Sequence, residues 1–99
     1  MTLRVRISAR AAEEVRRAAA WWLHHRPAAQ GALQADFSAA VALLAEQPGI
    51  GASYEGARTR GVRRLFLSRV SYFIYYRADT LDLKVLAFWH ASRGRQPAL

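Results

Sequence analysis

The stretch 61–77, GVRRLFLSRVSYFIYYR, decides the fold. It reads as two β-strands, at about 61–68 and 71–78, joined by the short link Ser68-Arg69-Val70-Ser71. Arg63 and Arg64 stand on the first strand, and Tyr72, Phe73, Tyr75 and Tyr76 form an aromatic ladder on the second. Neighbours on a strand point to opposite faces, so the two arginines cannot serve one site together. A third apolar strand is predicted at about 83–90, after Asp79-Thr80-Leu81-Asp82, and runs into His90 and then Arg93. Links this short make the three strands antiparallel.

Upstream, Leu3, Val5 and Ile7 alternate with Arg4 and Arg6, the pattern of a half-buried strand with a basic outer face. Ser8 stands where a helix N-cap belongs, and Glu13 and Glu14 sit early in the helix, favourable to its dipole. The helix is predicted to stop near His25, because the residue before Pro27 avoids helical geometry. Ala12, Val15, Ala19 and Trp22 share one face, which puts Trp22 in the core. Trp21 falls on the other side, among Glu14, Arg17 and His25. Pro27 suits the first turn of a second helix, with Leu33, Phe37, Ala40, Val41 and Leu44 at spacings of three and four. That helix ends before Pro48, and its back face of Ala28, Ala35, Ala39 and Ala42 is small. The pair reads as an α-hairpin. From 48 to 61 the periodicity is lost, and Gly49 and Gly51 are expected to serve turns.

The element order is β-α-α-β-β-β, an α+β fold: a two-helix hairpin packed on one face of a small, mainly antiparallel sheet. Residues 1–99 make one domain, and 93–99 are expected to form a flexible tail. Both sheet faces are apolar. Tyr72, Ile74 and Tyr76 oppose Phe73 and Tyr75, and Val85, Ala87 and Trp89 oppose Leu86 and Phe88. Two helices cover only one face, and an uncovered apolar face marks a binding surface.

Net charge is +8, and 14 of the 15 cations are arginine, Lys84 being the exception. Arg58, Arg60, Arg63, Arg64, Arg69 and Arg77 follow one another with no acidic residue between. Aromatics interleave them, which points to nucleic acid or an acidic protein segment as partner. No cysteine is present, so neither a disulfide framework nor a cysteine-rich metal site exists. His24 and His25 diverge on a helix and cannot chelate one ion, and Glu13 and Glu14 fail as a catalytic pair for the same reason. There is no phosphate-binding glycine loop and no Ser-His-Asp order, and no cofactor is expected. No apolar run is long enough to span a membrane, and no signal peptide is visible. Trp21, a large aromatic on a polar helix side, suits partner contact.

Taken in order, Pro48 and Gly51, then Arg63-Arg64-Leu65, then Tyr72-Phe73-Ile74-Tyr75-Tyr76, then Leu86, His90 and Arg93, the chain resembles the ParE/RelE superfamily of bacterial toxins. The His90-x-x-Arg93 ending resembles its ParE branch. The resemblance runs from the strand at Leu3 to Arg93. It implies the toxin half of a type II toxin–antitoxin pair, cytoplasmic, held in a hetero-oligomer by a cognate antitoxin with an acidic or amphipathic C-terminal segment. ParE-type members resembling this chain poison DNA gyrase by binding, which implies no catalytic residue. Arg64, His90 and Arg93 would then meet the target, and Trp21, Arg17, Tyr72, Tyr75 and Phe88 the antitoxin. The alternative is a RelE-like ribosome-dependent mRNA endoribonuclease, for which Arg63, Arg64, Tyr75, His90 and Arg93 are the available residues. A non-toxic RNA- or protein-binding module is a further alternative.

Overall fold

The structure is a computed structural model that describes residues 2–29 and 31–99. A strand β1 (Arg4–Ile7) leads through Ser8 into α1 (Ala9–His25). The Ser8 hydroxyl accepts a hydrogen bond from the Ala11 N–H at 3.0 Å and so ends the strand and caps the helix in one residue. The helix α1 stops at His25, as the position of Pro27 predicts. Pro27 does not open the next helix. Pro27–Ala29 is a single 3₁₀ turn, and α2 (Ala32–Glu46) begins after Gly31, whose φ of 85° only glycine adopts without strain. The helices are therefore joined by a longer link than a tight proline turn.

The sheet order is β1-β5-β4-β3-β2, with β3 (Arg63–Leu67), β4 (Tyr72–Ala78) and β5 (Asp82–His90) antiparallel, as expected. The strand β1 pairs with β5 in parallel. A two-residue strand, β2 (Ala52–Ser53), lies inside the stretch expected to be loop. The edge strand β1 is more exposed than its alternation suggests, with Val5 at 40% and Ile7 at 43%.

Both helices lie on one face. Leu33, Phe37, Val41 and Leu44 of α2 pack with Ile74, Tyr76, Leu83, Val85 and Phe88 of the sheet. The face of α1 is the predicted one except at Ala12. Ala11 and Ala18 are buried, Val15, Ala19 and Trp22 pack beside them, and Ala12 is exposed. Glu14 turns toward the sheet, where its Oε1 accepts the Phe88 N–H at 2.9 Å. That bond fits an irregularity in β5. Tyr75 pairs with Ala87 and Tyr76 with Val85, so Leu86 is an extra residue. This bulge reverses the predicted alternation. Val85 and Phe88 both face the helices, whereas Ala87 and Trp89 face away.

Two further expectations change. Gly51 is not a turn glycine: its φ is −71°. It is a point of close approach. Its N–H donates to the Tyr76 hydroxyl at 2.9 Å, which in turn donates to the Pro48 carbonyl at 2.7 Å. A Cβ there would collide with the Tyr76 phenol and lie 2.9 Å from the Arg64 carbonyl oxygen. The tail, expected to be mobile, is docked. The Leu99 carbonyl accepts from the Arg58 N–H at 3.0 Å, the Ala98 carbonyl from Arg10 at 2.6 Å, and the Arg95 carbonyl from Trp89 Nε1 at 2.9 Å. The helix-free face is thus partly covered. Val62, Tyr75, Ala87 and Trp89 form a second small core, closed by Tyr54, Ala57 and Leu99.

Candidate functional site

The register assigns each sheet residue to a face. Leu65, Ile74, Tyr76, Val85 and Phe88 look toward the helices. Arg64, Phe66, Phe73, Tyr75, Arg77, Lys84, Ala87 and Trp89 look away from them. On the edge, Arg4 and Arg6 reach the carboxylate of Asp82 at 2.8 and 3.3 Å. The helix-free face therefore combines aromatic rings with Arg64, Arg77 and Lys84, and with Arg4 and Arg6 at its edge.

Arg64 is the best-defined residue on that face. Its guanidinium carbon sits 4.3 Å from the centre of the Phe73 ring, 5.6 Å from Tyr54 and 5.9 Å from Tyr75. Its Nη1 donates to the Tyr75 hydroxyl at 3.1 Å, and that hydroxyl donates to Gln96 Oε1 at 2.8 Å. A cation among ring faces is attracted by their quadrupoles, and the hydrogen bonds fix its direction. Arg93, beyond the end of β5, lies 3.9 Å over the Trp89 ring. Arg63 faces the other way and donates to the Gly51 carbonyl at 2.7 Å, bracing the loop before β2.

The helix side presents a different surface. Trp21 is 47% exposed and stacks on His25 with ring centres 4.2 Å apart. It lines a cleft of about 230 Å³ with Tyr72 and His90. Tyr72 stacks on Phe88 at 4.5 Å and meets the His90 ring edge-on at 4.9 Å. Burial raises the Tyr72 phenol pKa, a shift that Arg93 partly opposes. His90 Nδ1 lies 2.6 Å from the Ser92 hydroxyl and accepts the Ser92 N–H at 3.2 Å. Beside Trp22 and Leu23, a second groove of about 270 Å³ runs between α1 and the start of α2.

Across residues 5–95 the chain matches the model of the family described as ParE toxin of type II toxin-antitoxin system, parDE. The chain belongs to the ParE toxin family. A chain of the chromosomal ParDE TA system from P. aeruginosa shares the fold, with a TM-score of 0.74 at 19% identity over 92% of this chain and 98% of that one. No curated protein sequence matches.

In this ParE-family toxin the residues singled out from sequence fall into separate places. Arg64 is on the helix-free side, Arg93 lies past the end of β5 over the Trp89 ring and near enough to Tyr72 to act on its phenol, and His90 is on the helix side with Tyr72 and Trp21. Arg17 is exposed on α1, where it pairs with Glu13 at 3.4 Å. Tyr75 and Phe88 are buried, so neither side chain is open to a docking partner in this structure. Two contributors were not foreseen. Phe66, exposed on the helix-free face, was legible from its spacing, since it shares the parity of Arg64 on one strand. Gln96 had no such signal, because nothing local in the tail marks it as a partner of Tyr75.

Proposed function

We propose that this toxin works by binding: it engages DNA gyrase and is neutralised by a cognate antitoxin, with no bond cut by the chain itself. The match to the ParE family over residues 5–95 carries this reading. The placement of polar groups supports it. Cleaving a phosphodiester requires an acid, a base and a phosphate anchor around one phosphate. Here the imidazole of His90 is on the helix side of the sheet and the Arg64 guanidinium on the other, and the Tyr75 hydroxyl is held by Gln96. Arg64 and Arg93 suit anchoring instead, because a guanidinium presents a planar fork of donors to carboxylate or phosphate.

The antitoxin is assigned to the helix side. Trp21 and Leu23 are exposed there, the groove beside Trp22 is apolar, and Arg17 adds charge for an acidic or amphipathic segment. His90 and Tyr72, which border the Trp21 cleft, belong with this surface rather than with the target surface. The complex is a hetero-oligomer, and gyrase as target places the protein in the cytoplasm.

Purified gyrase and translating ribosomes test the reading side by side. The unmutated chain should block supercoiling and trap cleaved DNA, and leave ribosome-bound mRNA intact. Arg93→Ala should lose gyrase binding and growth inhibition together. If the chain cuts ribosome-bound mRNA, and His90→Ala stops the cutting without loss of ribosome binding, the toxin is a ribonuclease. No effect on growth when it is expressed alone would mark a non-toxic binding module.

A further inference from the structure

We propose that the helix-free face binds single-stranded DNA by base stacking, with Phe66 as its open end. The choice of DNA rests on the gyrase reading above. The stacking surface rests on the geometry. Register places Phe66, Phe73 and Trp89 in one row across β3, β4 and β5, all turned away from the helices. Phe66 and Phe73 have ring centres 5.0 Å apart. The Arg64 guanidinium carbon lies 4.3 Å from the centre of the Phe73 ring and that of Arg93 3.9 Å from the centre of the buried Trp89 ring, so both inner rings of the row already carry a cation. Phe66 carries no arginine over it and is 47% exposed.

The charges select the occupant. Arg4 and Arg6 are engaged by Asp82, and Lys84 lies 3.9 Å from Asp79. Among the described residues, Arg64 and Arg77 on this face and Arg93 past the end of β5 have no carboxylate partner. An acidic peptide would satisfy these arginines but would need an apolar side chain at one fixed position to cover Phe66. A duplex offers phosphates but hides its base faces. A single strand offers both, with phosphates for the guanidiniums and unstacked bases for the rings. Here the exposed ring continues a row already capped by two cations.

The test is fluorescence anisotropy of the full chain with labelled oligothymidylate of about 12 nucleotides, a length within the range single-strand grooves occupy. Oligouridylate, a hairpin duplex and an acidic peptide serve as comparators, and each is titrated at two salt concentrations. The thymidylate should bind at least about tenfold tighter than the duplex. Phe66→Ala should weaken it about tenfold, the loss of one stacked base, with the salt dependence unchanged. Arg64→Ala and Arg93→Ala should weaken it and each reduce the salt slope by about one. Phe66 is exposed, so its variant should fold, and thermal melting confirms that. No binding, equal binding of duplex, tighter binding of oligouridylate, or an unaffected Phe66→Ala each overturns the proposal. So does displacement by the acidic peptide as effective as by unlabelled strand, which would give the face to a protein. Gyrase inhibition is measured on the same preparations. Inhibition without strand binding removes this platform alone, and strand binding without inhibition removes the gyrase reading alone.

Discussion

The two faces of the sheet are built by different means. The face under the helices is closed by aliphatic and aromatic side chains from long elements: Leu33, Phe37, Val41 and Leu44 against Ile74, Tyr76, Leu83, Val85 and Phe88. The other is closed by short irregular pieces, the segment around Tyr54 and Ala57 and the tail up to Leu99, which cover a small core of Val62, Tyr75, Ala87 and Trp89. Helices satisfy their own backbone and bring apolar stripes, so they bury area without needing polar partners. The loop and tail instead attach through individual hydrogen bonds, such as those accepted by the Leu99, Ala98 and Arg95 carbonyls. The first face therefore holds the fold together, and the second can leave cations and rings exposed for recognition.

The largest expected effect lies on the first face. Leu44 is fully buried, and Leu44→Ala should cost about 2–5 kcal/mol by denaturant unfolding, as core truncations of leucine do. A cost below 1 kcal/mol would mean that the helices are loosely seated. On the second face, Gln96→Ala removes the acceptor of the Tyr75 hydroxyl and of a longer contact from Arg64 at 3.4 Å. That should cost on the order of 1 kcal/mol, and the Arg58 amide should exchange faster if the whole tail loosens. An effect as large as that of Leu44→Ala would erase the distinction between the faces.

At the edge of the sheet the test is pH. Hydrogen bonding and charge from Arg4 hold the Asp82 carboxyl below its ordinary pKa, with Arg6 adding to the effect. Its contribution is present above the unfolded carboxylate pKa of about 3.9 and is lost as pH falls through the lower folded value. Melting temperature should therefore fall on acidification in that window, and Asp82→Asn should flatten the fall. An unchanged acid limb in the variant would show that Arg4 contributes nothing through this pair. The smallest effect is expected at Trp21. Trp21→Ala should leave stability within about 0.5 kcal/mol of the parent, as surface substitutions do. Trp22→Ala, packed against the core, should cost clearly more, and equal thermal shifts for the two would contradict their assignment.

The first face was largely legible in the sequence. Spacings of three and four named Leu33, Phe37, Val41 and Leu44, and alternation named Ile74 and Tyr76. It failed at Leu86, because a bulge reverses parity without any local mark, and at Ala12, because two adjacent alanines give no sign of which one faces the core and it is Ala11 that does. The second face was legible as a pattern but not as a structure. The alternation of Phe73 and Tyr75 showed that it is apolar. That residues 95–99 return to cover it depends on contacts some thirty to ninety residues away in sequence, such as Gln96 with Arg64 and Ala98 with Arg10, and no periodicity reports those. The separation of His90 from Arg93 was likewise hidden. They lie three residues apart, but one is on a strand and the other is past its end.

The measurement closest to the centre of this account is a pair of binding isotherms, one to gyrase and one to the cognate antitoxin, for Arg93→Ala and Trp21→Ala. Arg93→Ala should lose gyrase and keep the antitoxin, while Trp21→Ala should keep gyrase and lose affinity for the antitoxin. If both variants lose the same partner, or if Trp21→Ala abolishes gyrase binding while Arg93→Ala leaves it intact, the proposed division between the two faces is wrong.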